Sequence, residues 1–131
     1  MAAAAKRNSR GFTLIEVLVA MVVLAVGLLG TLAGIIRVLD INVRNDLRNE
    51  AVKIAQERLE ILRNTSYAAI DDDNVTTSRQ IRKNTNWNFQ VVQKVNSNGG
   101  PLKGVEIEVR WSYKNRSHSY RLETVIHQPV S

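Results

Sequence analysis

The stretch Gly11–Ile36, GFTLIEVLVAMVVLAVGLLGTLAGII, decides how this chain is built. Residues 12–36 hold 19 hydrophobic residues of 25, and Val17 to Ile36 is a run of 20 residues without a charge. As an α-helix that run spans about 30 Å at ~1.5 Å per residue, the thickness of a bilayer's hydrocarbon core. On its N-terminal side stand Lys6, Arg7 and Arg10 with no acid among them, half of the formal net charge of +6. Cations beside an apolar span mark its cytoplasmic side, so the C-terminal part is expected beyond the membrane. On the other side, residues 37–131 hold only 34 hydrophobic residues of 95. The 44% average over 131 residues therefore blends a membrane-grade segment with a polar remainder, which does not fit a simple soluble globule. A cleaved signal peptide fits poorly too. The run exceeds the usual apolar stretch of ~7–15 residues and ends in Gly34-Ile35-Ile36-Arg37, with no small-x-small site. There is no cysteine, hence no disulfide framework.

Glu16 is out of place in a plain anchor. An acid at the centre of a span costs roughly 2.5–3.5 kcal/mol, and less near an edge. Such a residue either snorkels to the headgroups or has a partner. A fresh α-amine at Phe12, four residues upstream, is one such partner.

Gly11-Phe12-Thr13-Leu14-Ile15-Glu16-Val17-Leu18-Val19-Ala20, preceded by a short basic leader and followed by the apolar run, resembles the N-terminus of type IV prepilins and pseudopilins. The resemblance implies cleavage after Gly11 by a prepilin peptidase, N-methylation of Phe12, and pairing of Glu16 with the Phe12 amine of a neighbouring subunit during assembly. The physics of that pairing is sound. Two charges buried apart in an apolar filament core are each heavily penalised, and pairing offsets part of the cost. The pair also sets the axial offset between neighbouring helices, as buried polar residues do in coiled coils. Gly27, Gly30 and Gly34 serve either close helix packing, Gly30 and Gly34 being a small-xxx-small pair, or local unwinding. Many major pilins carry a Pro where this chain has Ala33, so a sharp kink there is not expected.

The helix need not stop at the end of the span, because there is no Gly or Pro between Ile35 and Gly99. Leu47, Ala51, Ile54, Ala55, Leu59 and Leu62 recur at spacings of 3 and 4, one face of a helix. The pairs Asp40–Arg44, Lys53–Glu57 and Glu60–Arg63 are expected on the other face. Asn64-Thr65-Ser66-Tyr67 reads as the helix end. Ala55-Gln56-Glu57-Arg58-Leu59-Glu60-Ile61-Leu62-Arg63 resembles the corresponding segment of minor pilins of the PilV kind.

Residues 64–86 are polar and read as a solvated loop; the acidic run Asp71-Asp72-Asp73 lacks the spacing of a calcium loop, and no metal is expected there. Three stretches then alternate with period 2: Trp87, Phe89, Val91, Val95; Val105 to Tyr113 by odd numbers; Tyr120 to Ile126 by even numbers. Asn96–Pro101 joins the first two, and Lys114–Ser119 turns the second hairpin. Pairing Trp111 with Leu122 sets Arg110 against Glu123 and avoids like charges directly opposite. With no disulfide to hold it, the stretch His127–Ser131 is expected to be loose.

The expected architecture is α+β and pilin-like: a leader (1–11), a transmembrane and assembly helix (12–36), its amphipathic continuation (37–64), and a small antiparallel module (65–131) packed on that continuation. No Gly-rich phosphate loop, His-Glu-x-x-His pattern or Cys nucleophile is present, so no catalytic residue and no cofactor are expected. The remaining basic residues are interleaved with acids, so nucleic acid is not indicated. The resemblance implies a minor type IV pilus subunit taking part in assembly or priming. Its partners would be the prepilin peptidase and methyltransferase, other pilins in a helical filament, and an inner-membrane assembly platform. It would begin as a single-pass inner-membrane protein with its module in the periplasm and end in the filament at the cell surface. A type II secretion pseudopilin and a non-polymerising, membrane-anchored binding module are the alternatives.

Overall fold

A computed structural model of the chain describes residues 11, 13–82, 85–97 and 99–128. The element order is helix α1 (Leu14–Arg63), a 3₁₀ turn (Tyr67–Ala69), then strands β1 (Asp73–Ile81), β2 (Thr85–Ser97), β3 (Leu102–Tyr113) and β4 (Arg116–His127). The chain divides into two compact units, Met1–Asp40 and Ile41–Ser131.

In the first unit, every described residue from Leu14 to Leu39 is exposed. This is one helix long and apolar enough to cross a membrane. A helix apolar all round has no stable place in water and requires lipid or other helices as its surroundings.

In the second unit the rest of α1 lies on a four-stranded antiparallel meander, β1-β2-β3-β4. Leu47, Ala51, Ile54, Ala55 and Leu62 are buried, the stripe expected from the sequence, with Leu59 at its margin. The two alanines, both 0% exposed, let the helix backbone approach the sheet closely. Opposite them lie Phe89 and Val91 of β2 and Val105, Ile107, Val109 and Trp111 of β3. The alternating faces of β2, β3 and β4 are those the period-2 pattern indicated. The helix ends at Arg63, where the Asn64 side-chain amide donates to the Glu60 carbonyl (3.0 Å) and the Thr65 hydroxyl to the Ile61 carbonyl (2.7 Å), satisfying two of its last acceptors.

Three details of pairing depart from the sequence reading, and a fourth departure concerns the end of the last strand. First, Asp73–Ile81 is a strand and not loop: β1 pairs with β2 from Asp73↔Gln93 to Ile81↔Thr85. It is an edge strand with mostly exposed side chains, so it carries no apolar alternation to reveal it. Second, the β3–β4 register is Ile107↔Leu122, Val109↔Tyr120 and Trp111↔His118, not Trp111 with Leu122. Lys114 and Asn115, at φ 48° and 58°, form the turn between Tyr113 and Arg116. Two left-handed central residues make a two-residue hairpin of type I′, and a tight turn of that kind dictates the register. It sets Glu108 opposite Arg121, while Glu106 faces Glu123 and is compensated by Arg121 at 3.2 Å. Third, Lys53 pairs with Glu50 (3.5 Å) and not Glu57, whose carboxylate instead meets Arg79 of β1. The Glu60–Arg63 pair is present at 2.9 Å.

The segment between helix and sheet is held by polar side chains that reach inward. Gln93, 4% exposed, donates to the Asp71 carbonyl (2.6 Å) and accepts from Arg58 Nε (2.9 Å), and Arg58 also meets Asp73. The Lys103 ammonium donates to the carbonyls of Tyr67 (2.9 Å) and Ile70 (2.8 Å) and sits 4.8 Å from the Tyr67 ring centroid. Asp72 accepts from the Val95 backbone N–H at 2.6 Å. The acidic run thus supplies attachment points between loop and sheet. At the far end of the chain, His127 still pairs with Leu102, and the Gln128 N–H donates to the Pro101 carbonyl (2.8 Å). The strand therefore extends into the stretch expected to be loose; residues 129–131 lie outside those described.

Candidate functional site

Helix α1 starts with a reciprocal pair of hydrogen bonds. The Thr13 N–H donates to the Glu16 carboxylate (Oε2, 3.0 Å), and the Glu16 N–H donates to the Thr13 hydroxyl (3.3 Å). This is a capping box, Thr-x-x-Glu, which satisfies two amide donors that a helix N-terminus otherwise leaves without partners. The carboxylate also sits where the helix macrodipole favours negative charge. Glu16 is therefore held at the N-terminal tip of its own helix, one turn from the expected cleavage point. Both partners are exposed.

Gly11 lies just ahead of the helix, exposed, with no atom within 4 Å of where a Cβ would be. Phe12, the expected first residue after cleavage and the expected methylation site, lies outside the described residues, as do Lys6, Arg7 and Arg10 of the leader. Gly27, Gly30 and Gly34 are all within α1 and exposed, again with nothing within 4 Å of a built Cβ. The helix runs through them, with the Thr31 hydroxyl donating to the Leu28 carbonyl at 2.8 Å. The three glycines leave room on the helix surface for a neighbouring helix to come close.

Thr13 is the residue the sequence reading passed over. The signal was there in the Thr-x-x-Glu spacing ahead of an apolar run.

The outer face of the sheet carries a second cluster of charge. Glu108, 7% exposed, lies among Arg110, Ser119 and Arg121. The hydrogen bond from Arg110, then the charges of Arg110 and Arg121 and a bond from Ser119, hold the Glu108 carboxyl below its ordinary range against the opposing effect of desolvation. The same contact raises Arg110. These are structural ion pairs, Arg110 and Arg121 both meeting the Glu108 carboxylate. His118 stacks on Trp111 at 5.8 Å between ring centroids, as a packing partner of the aromatic cluster.

Comparison with known families places one match on this geometry: the prokaryotic N-terminal methylation motif covers residues 6–32. It takes in the basic residues Lys6, Arg7 and Arg10, Gly11, Phe12, the Thr13–Glu16 cap and the exposed apolar helix as far as Leu32. No curated protein and no solved structure matches the chain.

Proposed function

From the N-terminal methylation motif as premise, we propose that this chain is a type IV pilin-like assembly subunit, and within that class a minor pilus subunit of the PilV kind. A prepilin peptidase cuts after Gly11, a methyltransferase modifies Phe12, and the chain waits as a single-pass membrane protein before entering a filament. The chemistry is done to the chain; the chain's own task is to assemble. The observation that carries the reading is the exposed helix surface from Leu14 to Leu39, apolar on all sides, beginning at a capped acid. Lipid covers such a surface before assembly and neighbouring helices cover it afterwards. Glu16 then exchanges solvent for the Phe12 amine of the next subunit, and the ion pair sets the step between subunits.

Mass spectrometry of the mature protein tests the processing: it should show methyl-Phe12 as the first residue, and an intact Met1 or a cut elsewhere sinks the assignment. Assembly is tested by Glu16→Ala. If the variant enters filaments as the unaltered chain does, the assembly role of Glu16 is refuted; if neither the variant nor the unaltered chain enters filaments, the chain is a non-polymerising membrane-anchored module. Purified pili distinguish the subunit classes. A minor pilin is present there at a small ratio to the main subunit, whereas a type II secretion pseudopilin is absent.

A further inference from the structure

Strand β4 stands at one edge of the sheet, with β3 on one side of it and no strand on the other. It runs for 12 residues without a proline or a lysine, and its pairing with β3 is continuous from Leu102↔His127 to Tyr113↔Arg116, so no bulge interrupts it. Prolines, lysines, bulges and short strands are the usual means of blunting an edge, whose unpaired N–H and C=O groups otherwise invite another strand. β4 uses none of them. The turn decides which of its groups are open. Tyr113 and Arg116 flank a two-residue hairpin and exchange hydrogen bonds with each other, and the ladder alternates from there. The even-numbered residues of β4 therefore bond to β3. The N–H and C=O of Ser117, Ser119, Arg121, Glu123, Val125 and His127 point away from it, and the side chains of these residues are exposed.

The charges along this edge select its occupant. Two copies of β4 laid antiparallel about a two-fold axis overlap over nearly their whole length when centred on Arg121 or on Leu122. Centring on Arg121 sets that residue against itself, and like charges directly opposite are destabilising. Centring on Leu122 sets Arg121 opposite Glu123 of the second copy, and symmetry makes the pair twice. The same register places Ser119 opposite Val125, Tyr120 opposite Thr124 and Leu122 opposite its own copy. Glu123 lacks a cation within its own chain: it faces Glu106 across the ladder and forms no ion pair among the described residues. Glu106 has Lys94 opposite on its other side and Arg121 at 3.2 Å. Arg121 reaches Glu106 through Nε and Glu108 through Nη2 at 3.9 Å, yet its side chain is 55% exposed, so the guanidinium keeps donors for a further carboxylate.

We propose that the open edge of β4 is an interface between two copies of this chain, which pair β4 to β4 antiparallel with Leu122 at the two-fold axis and join their sheets into one. Main-chain hydrogen bonds hold the strands together, and the reciprocal Arg121–Glu123 pairs fix the register. An isologous pair of this kind closes on itself, whereas a filament grows by head-to-tail contacts, so the pair is a form of the chain outside any filament. It involves residues of the second unit alone and is independent of the filament reading.

The chain has no cysteine, so introduced ones read the register directly. Two full-length forms with tags of different size, S119C and V125C, are purified in mild detergent, mixed and oxidised with copper phenanthroline. In the proposed register the two positions have Cα atoms about 5.5 Å apart, inside the roughly 4.4–6.8 Å that a disulfide spans. The two copies of Ser119 are about 20 Å apart at ~3.3 Å per residue, and so are the two copies of Val125. The mixture should give a disulfide-linked dimer, and either form alone several-fold less. Adding E123K to both forms should cut the yield several-fold, because Arg121 then faces a cation. The same change puts a cation beside Glu106, so the module should unfold at no lower temperature than before. E123Q, which removes the charge without reversing it, should fall between, and it carries the test if E123K does not fold. Dimers as abundant from either form alone as from the mixture place the contact elsewhere and overturn the proposal. A yield unchanged in E123K and E123Q, or no dimer, overturns it too. Oxidation of S119C in cell membranes that links it to a different protein in place of this chain gives the edge another partner and also overturns it. None of these outcomes bears on whether Glu16→Ala enters filaments, so the two readings fail separately.

Discussion

Glu16 is assigned two duties, a cap for its own helix and a charge for its neighbour, and substitutions can take them apart. Glu16→Gln keeps a side-chain oxygen at the third helical position, so the bond from the Thr13 N–H survives, since Glu and Gln both serve in a capping box. It removes the charge. Thr13→Ala does the reverse, deleting the hydroxyl that accepts from the Glu16 N–H at 3.3 Å and leaving the carboxylate. Loss of an N-cap side chain costs about 0.5–2 kcal/mol of helix stability. Loss of one partner of a buried ion pair costs about 3–5 kcal/mol, because the other charge stays buried alone. At ~1.4 kcal/mol per factor of ten, Glu16→Gln should lower filament incorporation by about two to four orders of magnitude. Thr13→Ala should lower it by about thirtyfold at most, and Thr13→Ser by little. The assay is quantitative immunodetection of the chain in sheared filaments against the total in membranes, with cleavage of each variant verified by mass. Glu16→Gln at the normal level, with Thr13→Ala excluded from filaments, would refute the reasoning, since Glu16 would then be acting as a cap alone.

Three further outcomes follow from the module. Asn115→Gly should raise the stability of the module slightly, because Asn115 sits at φ 58° in the second central position of the turn, where the type I′ hairpin favours glycine; the check is a small rise in Tm. Lys103→Met should cost about 1–3 kcal/mol by leaving the Tyr67 and Ile70 carbonyls without their donor, and hydrogen exchange should quicken in residues 64–72 before the sheet is affected. Acid should weaken the module through Glu108. Arg110 first, then Ser119 and Arg121, lower its pKa in the folded state, so its contribution is present at neutral pH and disappears as pH falls from the ordinary carboxylate range through the folded value. Glu108→Gln should flatten that part of the Tm–pH curve, and a variant retaining the full acid dependence would show that the contact stabilises nothing.

What could be read directly from the amino acids was whatever depends on near neighbours along the chain. The apolar span from Val17 to Ile36 and the buried stripe Leu47–Ala51–Ile54–Ala55–Leu62 are matters of composition and of period 3.6, whereas the processing and assembly roles proposed for Gly11, Phe12 and Glu16 rest on the motif they resemble. The inward faces of β2, β3 and β4 follow from period 2 in the same way. Tertiary structure decided what depends on distant partners. β1 exists because its backbone completes the ladder of β2, and its exposed polar side chains carry no trace of that. Glu57 belongs to Arg79, 22 residues away, and not to the lysine one helical turn back. Gln93 is admitted to the core because Arg58 and the Asp71 carbonyl satisfy its amide. The β3–β4 register was set by the left-handed pair Lys114-Asn115, which outweighed the charge pattern used to choose between pairings. Local periodicity says which face of each element is apolar; which backbone and which charge it meets depends on how the chain closes on itself.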